Sequence, residues 1–445
     1  MCQARPGALI IYHPQPFYKE NMRILVIGSG GREHAICYAF ARSERVEKIF
    51  CAPGNGGIAT TAECVPINPE EIDRLVEFAE GESIDLTFVG GESALALGIV
   101  DEFEKRDLKI IGASMSAARL EASKAFAKDF MARHGVPTAK YVSAASASDA
   151  IAILKSGHFG DENSPVVVKA DGLAAGKGVV VARDRSEAIS ACEELASLVG
   201  DAADTIVLEE YLDGKEVSLL MFVDGNNFVL MPPVRDHKRI GEGDTGPNTG
   251  GMGTITDSGL LTPAQTQQII EEMIEPTLAG CIADGFPFRG ILFLGLMLTD
   301  GGAKLLEYNV RFGDPETQSI LVRLESDLVD ICQAMLDGTL DNTLIKWREG
   351  NSACVVLAAE GYPQKPKTGD VIAGIQDAEQ TDGVTIFHAG TRLSDDGAIV
   401  TAGGRVLGIT ATGATLDESL RAAYAAADRI SWSGMQYRRD IGKVH

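Results

Sequence analysis

The sequence predicts a multidomain protein of the α/β and α+β classes. A parallel βαβ domain comes first, a larger central domain with a mobile hairpin lid follows, and a small α+β domain ends the chain. Three observations predict it. The apolar run RILVIG at 23–28 passes through a glycine turn into a helix, which is how a parallel strand–helix unit begins. Two valine-rich strands within 164–182 flank a glycine-rich loop, as a hairpin does. Beyond residue 350, short strands alternate with turns before a capped helix.

Composition bounds the function. A chain of 445 residues allows roughly three domains, each able to bury a core without staples. A net charge of −23 argues against a general nucleic-acid binder, which needs a basic face. A small anionic substrate is still allowed, because a local pocket can be basic on an acidic protein. The eight cysteines are scattered with no CxxC pair, so zinc sites and disulfide frameworks are not expected and a reducing cytoplasm fits. No apolar run is long enough to span a membrane.

In chain order, residues 1–21 carry three prolines and no periodicity, and read as a disordered extension or an upstream misread start. Residues 22–122 form the βαβ domain. The glycines of its first turn, Gly28, Gly30 and Gly31, suit an anion at a helix N-terminus. The spacing is not GxGxxG, and no acidic residue follows the second strand to hold a ribose. A smaller phosphate, or a purely structural turn, is therefore expected there, with a second glycine turn at 53–57 on the same sheet edge. Residues 116–134 read as one helix, capped by Ser114 or Ser116, with Lys124 and Lys128 on one face. Lys128 reads as solvated. The central domain is placed at 123–336, with its lid at about 140–205.

Residues 164–182, SPVVVKADGLAAGKGVVVA, place Lys169 at a strand end and Gly176, Lys177 and Gly178 in the loop. Exposed amides in such a loop can fold over a triphosphate. This is not a Walker A loop, because a strand follows it. Residues 205–223 end one strand at Glu209, Glu210, Tyr211 and Leu212 and carry Glu216 on the next; the strand end suits an adenine edge and Glu216 a ribose. Residues 232–253 read as a long polar loop with Asp236, His237, Lys238 and Arg239 clustered near its start, suited to a phosphorylated substrate. His237 has no second histidine nearby to share a metal.

Residues 304–315, KLLEYNVRFGDP, set Glu307, Asn309 and Arg311 at alternating positions, hence on one face of a strand. A carboxylate and an amide oxygen hold a hard cation, and a guanidinium holds phosphoryl oxygens. A linker at 337–350 leads to the last domain, 351–445. Its helix begins at Thr415, with Glu418 completing a capping box. The TAGGRVL stretch at 401–407 reads chiefly as packing.

Taken in order, IGSGGREHA, KADGLAAGKG, EEYL, DHKRIGEGDTGPNTGGMG and NVRFGDPE resemble the ATP-grasp enzymes, and among them the phosphoribosylamine–glycine ligase family of purine biosynthesis, over nearly the whole chain from Met22. The resemblance implies condensation of 5-phosphoribosylamine with glycine through an acyl phosphate, giving glycinamide ribonucleotide, ADP and phosphate. It implies ATP and Mg²⁺ as cofactors, with Mn²⁺ the alternative ion. Carried over by position, Glu307 and Asn309 would ligate the metal, and Lys124 and Lys169 would hold ATP phosphates. Residues 209–212 would line the adenine, and Glu216 the ribose. Arg311, Asp236 and Lys238 would face the reacting groups. Thr249, Gly250, Gly251 and Gly313 would complete the substrate pocket, and Gly30, Gly31, Asn55 and Gly56 would hold the substrate phosphate.

The chain departs from that pattern at Gly91, at Arg235 and at 295–299, which offers no carboxylate for a further metal ligand. Small-molecule substrates, no nucleic acid, no membrane, and a monomer (with a dimer as the alternative) are expected. Two other readings stay open: an ATP-grasp ligase acting on a different amine, and a non-catalytic nucleotide sensor.

Overall fold

Strands that are apolar without alternation need cover on both faces. Five of them, β1 (Met22–Gly28), β2 (Val46–Pro53), β3 (Glu63–Cys64), β4 (Leu86–Val89) and β5 (Ile110–Ile111), form a parallel sheet in the order β3-β2-β1-β4-β5. The computed structural model describes residues 21–172, 178–198 and 205–443. The winding of this first sheet reverses between β1 and β4. Their carboxyl ends therefore open on one crevice, where ligands of such sheets bind.

The lid is an antiparallel sheet of β6 (Tyr141–Ala144), β7 (Val166–Ala170), β8 (Val179–Ala182) and β9 (Ile206–Glu210), in the order β6-β9-β7-β8. It has its own core, in which Val166, Val168 and Leu208 meet Ala150, Leu154 and Leu195 from its two helices.

The remaining strands are β10 (Lys215–Asp224), β11 (Phe228–Leu230), β12 (Val234–Asp236), β13 (Arg239–Gly241), β14 (Thr245–Asn248), β15 (Gly253–Thr256), β16 (Arg289–Thr299), β17 (Gly302–Asn309), β18 (Asn351–Ala358), β19 (Val384–His388), β20 (Thr391–Leu393), β21 (Ile399–Thr401) and β22 (Arg405–Gly413). A nine-stranded sheet runs β17-β16-β10-β12-β15-β18-β22-β19, with β11 beside β10. The strands after residue 350 thus extend the central sheet through the β15–β18 pair. Between sheets, Phe312 is fully buried, stacked on Phe88 of the first domain at 5.8 Å and edge-on to Phe222 of β10 at 6.2 Å. This apolar anchor fixes the turn that carries Arg311.

Three expectations change. The 116–134 helix is two helices, Met115–Ala122 and Lys124–Arg133, broken where Ser123 turns extended and caps the second by accepting from the Phe126 amide. The polar 232–253 stretch is not structureless, since it contains β12, the β13–β14 ribbon and the start of β15. The 337–350 linker, mostly exposed, is pinned where Leu340 is buried and its amide donates to Asp224. The expected last helix is Leu416–Ala427, with the Thr415–Glu418 capping box in place.

The first and last domains meet at two buried histidines. The Nδ1 of His34 accepts the backbone N–H of His388 at 2.8 Å. Burial first, and the facing His388 second, push the His34 ring down to about 3; burial lowers His388 to about 4. Both stay neutral in the fold, while the unfolded chain takes up protons below about 6.5. Stability is thus full above that pH and falls as pH drops from it toward 4. His34→Asn keeps an acceptor and removes one titration. Urea unfolding between pH 7 and 5 is expected to give a shallower loss of stability for this variant than for the parent; equal slopes contradict the assignment.

Candidate active site

The glycine turn after β1 does not leave an open anion site. The Glu33 side chain, 1% exposed, curls back so that its Oε2 accepts the Gly30 N–H at 2.6 Å. A Cβ on Gly90 would lie 2.1 Å from Glu33 Oε1, and one on Gly28 2.5 Å from Glu33 Cγ. These glycines clear space for the protein's own carboxylate, which satisfies the helix N-terminus in place of a ligand. Gly31 packs against Gln318. Asn55 donates to the carbonyls of Ser29 and His388, and Gly56 lies against the Arg392 backbone. Of the residues expected to hold the substrate phosphate, the Gly30 amide and the Asn55 side chain already have partners within the protein, and Gly31, Asn55 and Gly56 join the first domain to the last. What reaches the crevice from this turn is Arg32. Its Nε pairs with Glu33 at 2.6 Å and its Nη1 donates to the Phe312 carbonyl at 3.0 Å.

The crevice continues into a cavity of about 400 Å³ walled by the first domain, the lid and the central sheet. Its floor is the end of β17. Tyr308 turns inward, 2% exposed, with its hydroxyl on Thr277. Glu307, Asn309 and Arg311 turn to the cavity. Arg311 is held by Glu121 at 2.6 Å and Glu92 at 3.2 Å, and donates to Asn309 Oδ1 at 3.0 Å. Burial would raise the Glu307 carboxyl, but Lys238, Lys169, Lys124 and Arg311 outweigh it and hold it below the usual range. Opposed charges hold Glu92 at about 2: burial raises it, and Arg311 and Arg32 pull it down.

A lysine cluster forms the wall under the lid. Glu209, at the end of β9, is 1% exposed and bridges Lys169 of β7 at 2.7 Å and Lys128 at 2.9 Å. Lys128, read as solvated from its spacing, is 2% exposed, and also donates to Thr138 Oγ1 at 2.7 Å. Its partner is 81 residues away, so helical spacing gave no sign of it. Burial, then the Lys169 charge, lowers Lys128 to about 8. Lys124 opens the second helix and donates to the Gly172 carbonyl at 2.9 Å, while Asp171 accepts from Ser123 Oγ and the Ala125 amide. Both ends of the lid loop, Gly172 and Gly178, border the cavity. Gly176 and Lys177 lie outside the described residues. Glu209 lines the cavity with its charge spent on lysines, not on a base. Glu210 accepts from the Lys140 amide, and neither it nor Leu212 borders the cavity.

Asp236 and Lys238 come from β12 and the residues just after it. Lys238 pairs at 2.7 Å with Glu216, the cavity-lining carboxylate expected at the ribose. Glu216 first, with Glu307 and Asp236, raises Lys238 further above the usual lysine range. Asp236 Oδ1 is buried without a hydrogen-bond partner, and burial together with Glu316 pushes its carboxyl well up. Thr249 and Gly250 border the cavity; Gly251 packs on Asp236, and Gly313 on Glu316. His237 and Arg239 leave the expected cationic cluster: His237 turns to the other face, and Arg239 donates to the Gly246 carbonyl. Sequence reasoning missed Arg32, Glu92, Glu121, Asp314, Glu316 and Arg405. Arg405, assigned to packing, donates to the carbonyls of Gly250 and Asp314 from the last domain.

The donor set fits a hard divalent cation. Glu307 and Asn309 supply two oxygens on one face, in keeping with Mg²⁺ that takes its other ligands from phosphates and water. Among the described residues, no group of three or more His, Cys, Asp or Glu side chains forms a separate metal cage.

Comparison with known proteins gives three consecutive matches: the N domain of phosphoribosylglycinamide synthetase over residues 22–121, its ATP-grasp (A) domain over 122–317 and its C domain over 352–444. The phosphoribosylamine–glycine ligase of Xanthomonas campestris pv. campestris is 48% identical, covering 95% of this chain and 97% of its own. That of Salmonella typhi is 47% identical, over 95% and 98%. The crystal structure of the Thermotoga maritima phosphoribosylamine–glycine ligase superposes with a TM-score of 0.79 at 36% identity, over 95% of this chain and all of that one. A biotin carboxylase domain from Hydrogenobacter thermophilus, at 19% identity and TM-score 0.68 over 94% of this chain and 92% of its own, shares the fold.

The Glu209 bridge generates a stability prediction. Lys128→Met leaves a buried carboxylate short of one cation and is expected to destabilise the protein by about 3 kcal/mol. Combining it with Glu209→Gln is expected to cost less than the sum of the single changes by about 1 kcal/mol or more. Urea unfolding of the four proteins checks this; strict additivity contradicts the bridge.

Proposed function

The chain belongs to the phosphoribosylglycinamide synthetase family, and from that membership we infer that it joins glycine to 5-phosphoribosylamine in purine biosynthesis. ATP is split to ADP and phosphate in the reaction, and a divalent cation is required. The observation that carries the reading is the floor of the cavity: Glu307, Asn309 and Arg311 side by side, with Lys124, Lys169 and Lys238 around them.

Glycine's carboxylate is a poor electrophile until one oxygen becomes a leaving group. In the first step that oxygen attacks the γ-phosphorus of ATP, the bond to the bridging oxygen breaks, and glycyl phosphate and ADP form. In the second, the amine of phosphoribosylamine attacks the acyl carbon; the C–O bond to phosphate breaks and the nitrogen loses a proton. The divalent cation, Mg²⁺ with Mn²⁺ as the alternative, supplies charge neutralisation on the phosphates when held by Glu307 and Asn309. Lys124 and Lys169 hold the nucleotide phosphates, and Arg311 and Lys238 the γ-phosphoryl group during transfer. Adenine lies at the cavity end beside Glu209, the one residue of the 209–212 strand end that borders it. Asp236, buried and with an unpartnered oxygen on the cavity wall, takes the amine proton; burial and the nearby Glu316 raise its carboxyl above the usual range. Arg32 and Arg405, each held by its own carboxylate, are the cations left for the substrate phosphate.

The finer setting belongs to the same proposal. Domains are taken as 22–122, 123–336 and 351–445. The seven described cysteines are free, and no helix among the described residues is long and apolar enough to cross a membrane. A monomer working in the cytoplasm is part of the same proposal.

Phosphate release that requires both glycine and phosphoribosylamine tests the reading. Turnover with another amine but not with this one, or nucleotide binding without turnover, overturns it. The double variant Glu307→Gln, Asn309→Ala is expected to lose about 100-fold or more in kcat/KM; parental turnover by that variant removes the floor from the mechanism.

A further inference from the structure

β12 and the residues that follow it have two faces. Asp236 and Lys238 turn to the cavity, while Arg235 and His237 turn away from it onto the last residues of the chain. His237, 4% exposed, accepts the Gly442 N–H through Nε2 at 3.0 Å, and its Nδ1 lies 3.0 Å from the Gly253 carbonyl. Arg235 donates to the carbonyls of Gly442 at 2.5 Å and Lys443 at 3.2 Å. Further along the same loop, Arg438, 1% exposed, holds Asp440 through two bonds of 2.8 Å and reaches Asp244 at 2.7 Å and the Arg239 carbonyl at 3.1 Å. Asp440 accepts the Gly243 N–H, and Glu242 the Arg439 N–H. Apart from the His237–Gly253 contact, these bonds join residues 438–443 to β12 and the residues between it and β14, or close the anchor that does so.

We infer that the carboxy-terminal segment 438–443 is a positioning element for the reaction, setting Asp236 and Lys238 through His237 and Arg235. Adjacent residues of an extended chain point opposite ways, so a shift of the His237 face moves the Asp236–Lys238 face with it. Among the described residues, these hydrogen bonds from the segment run to β12 and the loop after it, and none of them to the lid or to the lysine cluster that serves the nucleotide. Its loss therefore acts on the reacting groups and spares ATP binding. Arg235, a departure from the family pattern, has its reason here: it is a further tie to this segment.

This inference rests on the ligase reading, and the assay separates the two. With the full-length protein, KM for glycine and for phosphoribosylamine, KM for ATP, kcat and the melting temperature are measured for parent, His237→Ala and His237→Gln. A parent without activity overturns the ligase reading itself. With an active parent, His237→Ala is expected to lose about ten-fold or more in kcat/KM for glycine and phosphoribosylamine, with KM for ATP within about two-fold. His237→Gln, which offers one donor and one acceptor, is expected to recover most of the loss. An equal loss for ATP, no loss in any constant, or no recovery by glutamine overturns the inference. Should His237→Ala not fold, Arg235→Met, which removes only the two bonds to 442 and 443, is expected to give the same split at about three-fold; parental constants there overturn it equally.

Discussion

A carboxylate taken out of water keeps its charge only when cations stand close to it, and at Glu307 four do. Burial raises its carboxyl, and Lys238, Lys169, Lys124 and Arg311 outweigh that and hold it below the usual range. These cations come from four parts of the chain: the loop after β12, the lid strand β7, the start of the Lys124–Arg133 helix and the turn after β17. One side chain thus requires the lid, the central sheet and the first helix of the central domain to be in register. The same cations are what a polyphosphate needs, so the constraint that shapes the fold also shapes its ligand.

Apart from Lys124, which donates to the Gly172 carbonyl, the cations of the site already have carboxylate partners. Glu209 serves Lys169 and Lys128, Glu216 serves Lys238, Glu92 and Glu121 serve Arg311, Glu33 serves Arg32, and Asp314 faces Arg405. Preset charges reduce the reorganisation needed when a phosphoryl group moves, which is where a phosphoryl-transfer enzyme gains most. The second half of the ligase chemistry needs something different, a group able to take a proton. Asp236 lines the cavity with a buried oxygen that has no hydrogen-bond partner among the described residues and is not spent on a lysine, as the Glu209 oxygens are.

The fold class and the floor of the site were legible because both depend on local signals. Alternation puts Glu307, Asn309 and Arg311 on one face, and the apolar run before Gly28 makes a parallel strand. Long-range electrostatics were not legible. Lys128 looks solvated by helical spacing, and only Glu209, far along the chain, makes it a buried bridge. Glu33 reads as an ordinary helix-start acid, yet it fills the anion site that the glycines seemed to offer a substrate. Arg405 sits in a strand that extends the central sheet, and nothing local says that its guanidinium reaches back to Asp314. Ser123 was missed as a break because a serine within a helical pattern is tolerated; its role depends on Asp171 across the lid root.

The most direct measurement follows the oxygen that the account says must move. Glycine labelled with ¹⁸O in its carboxylate is turned over with unlabelled ATP and phosphoribosylamine, and the released phosphate is weighed by mass spectrometry. Attack of the carboxylate on the γ-phosphorus, then loss of that oxygen with phosphate, predicts one ¹⁸O in each phosphate formed. Product made at full rate with unlabelled phosphate would mean that the carboxylate is never phosphorylated, and the arrangement around Glu307 would need another explanation.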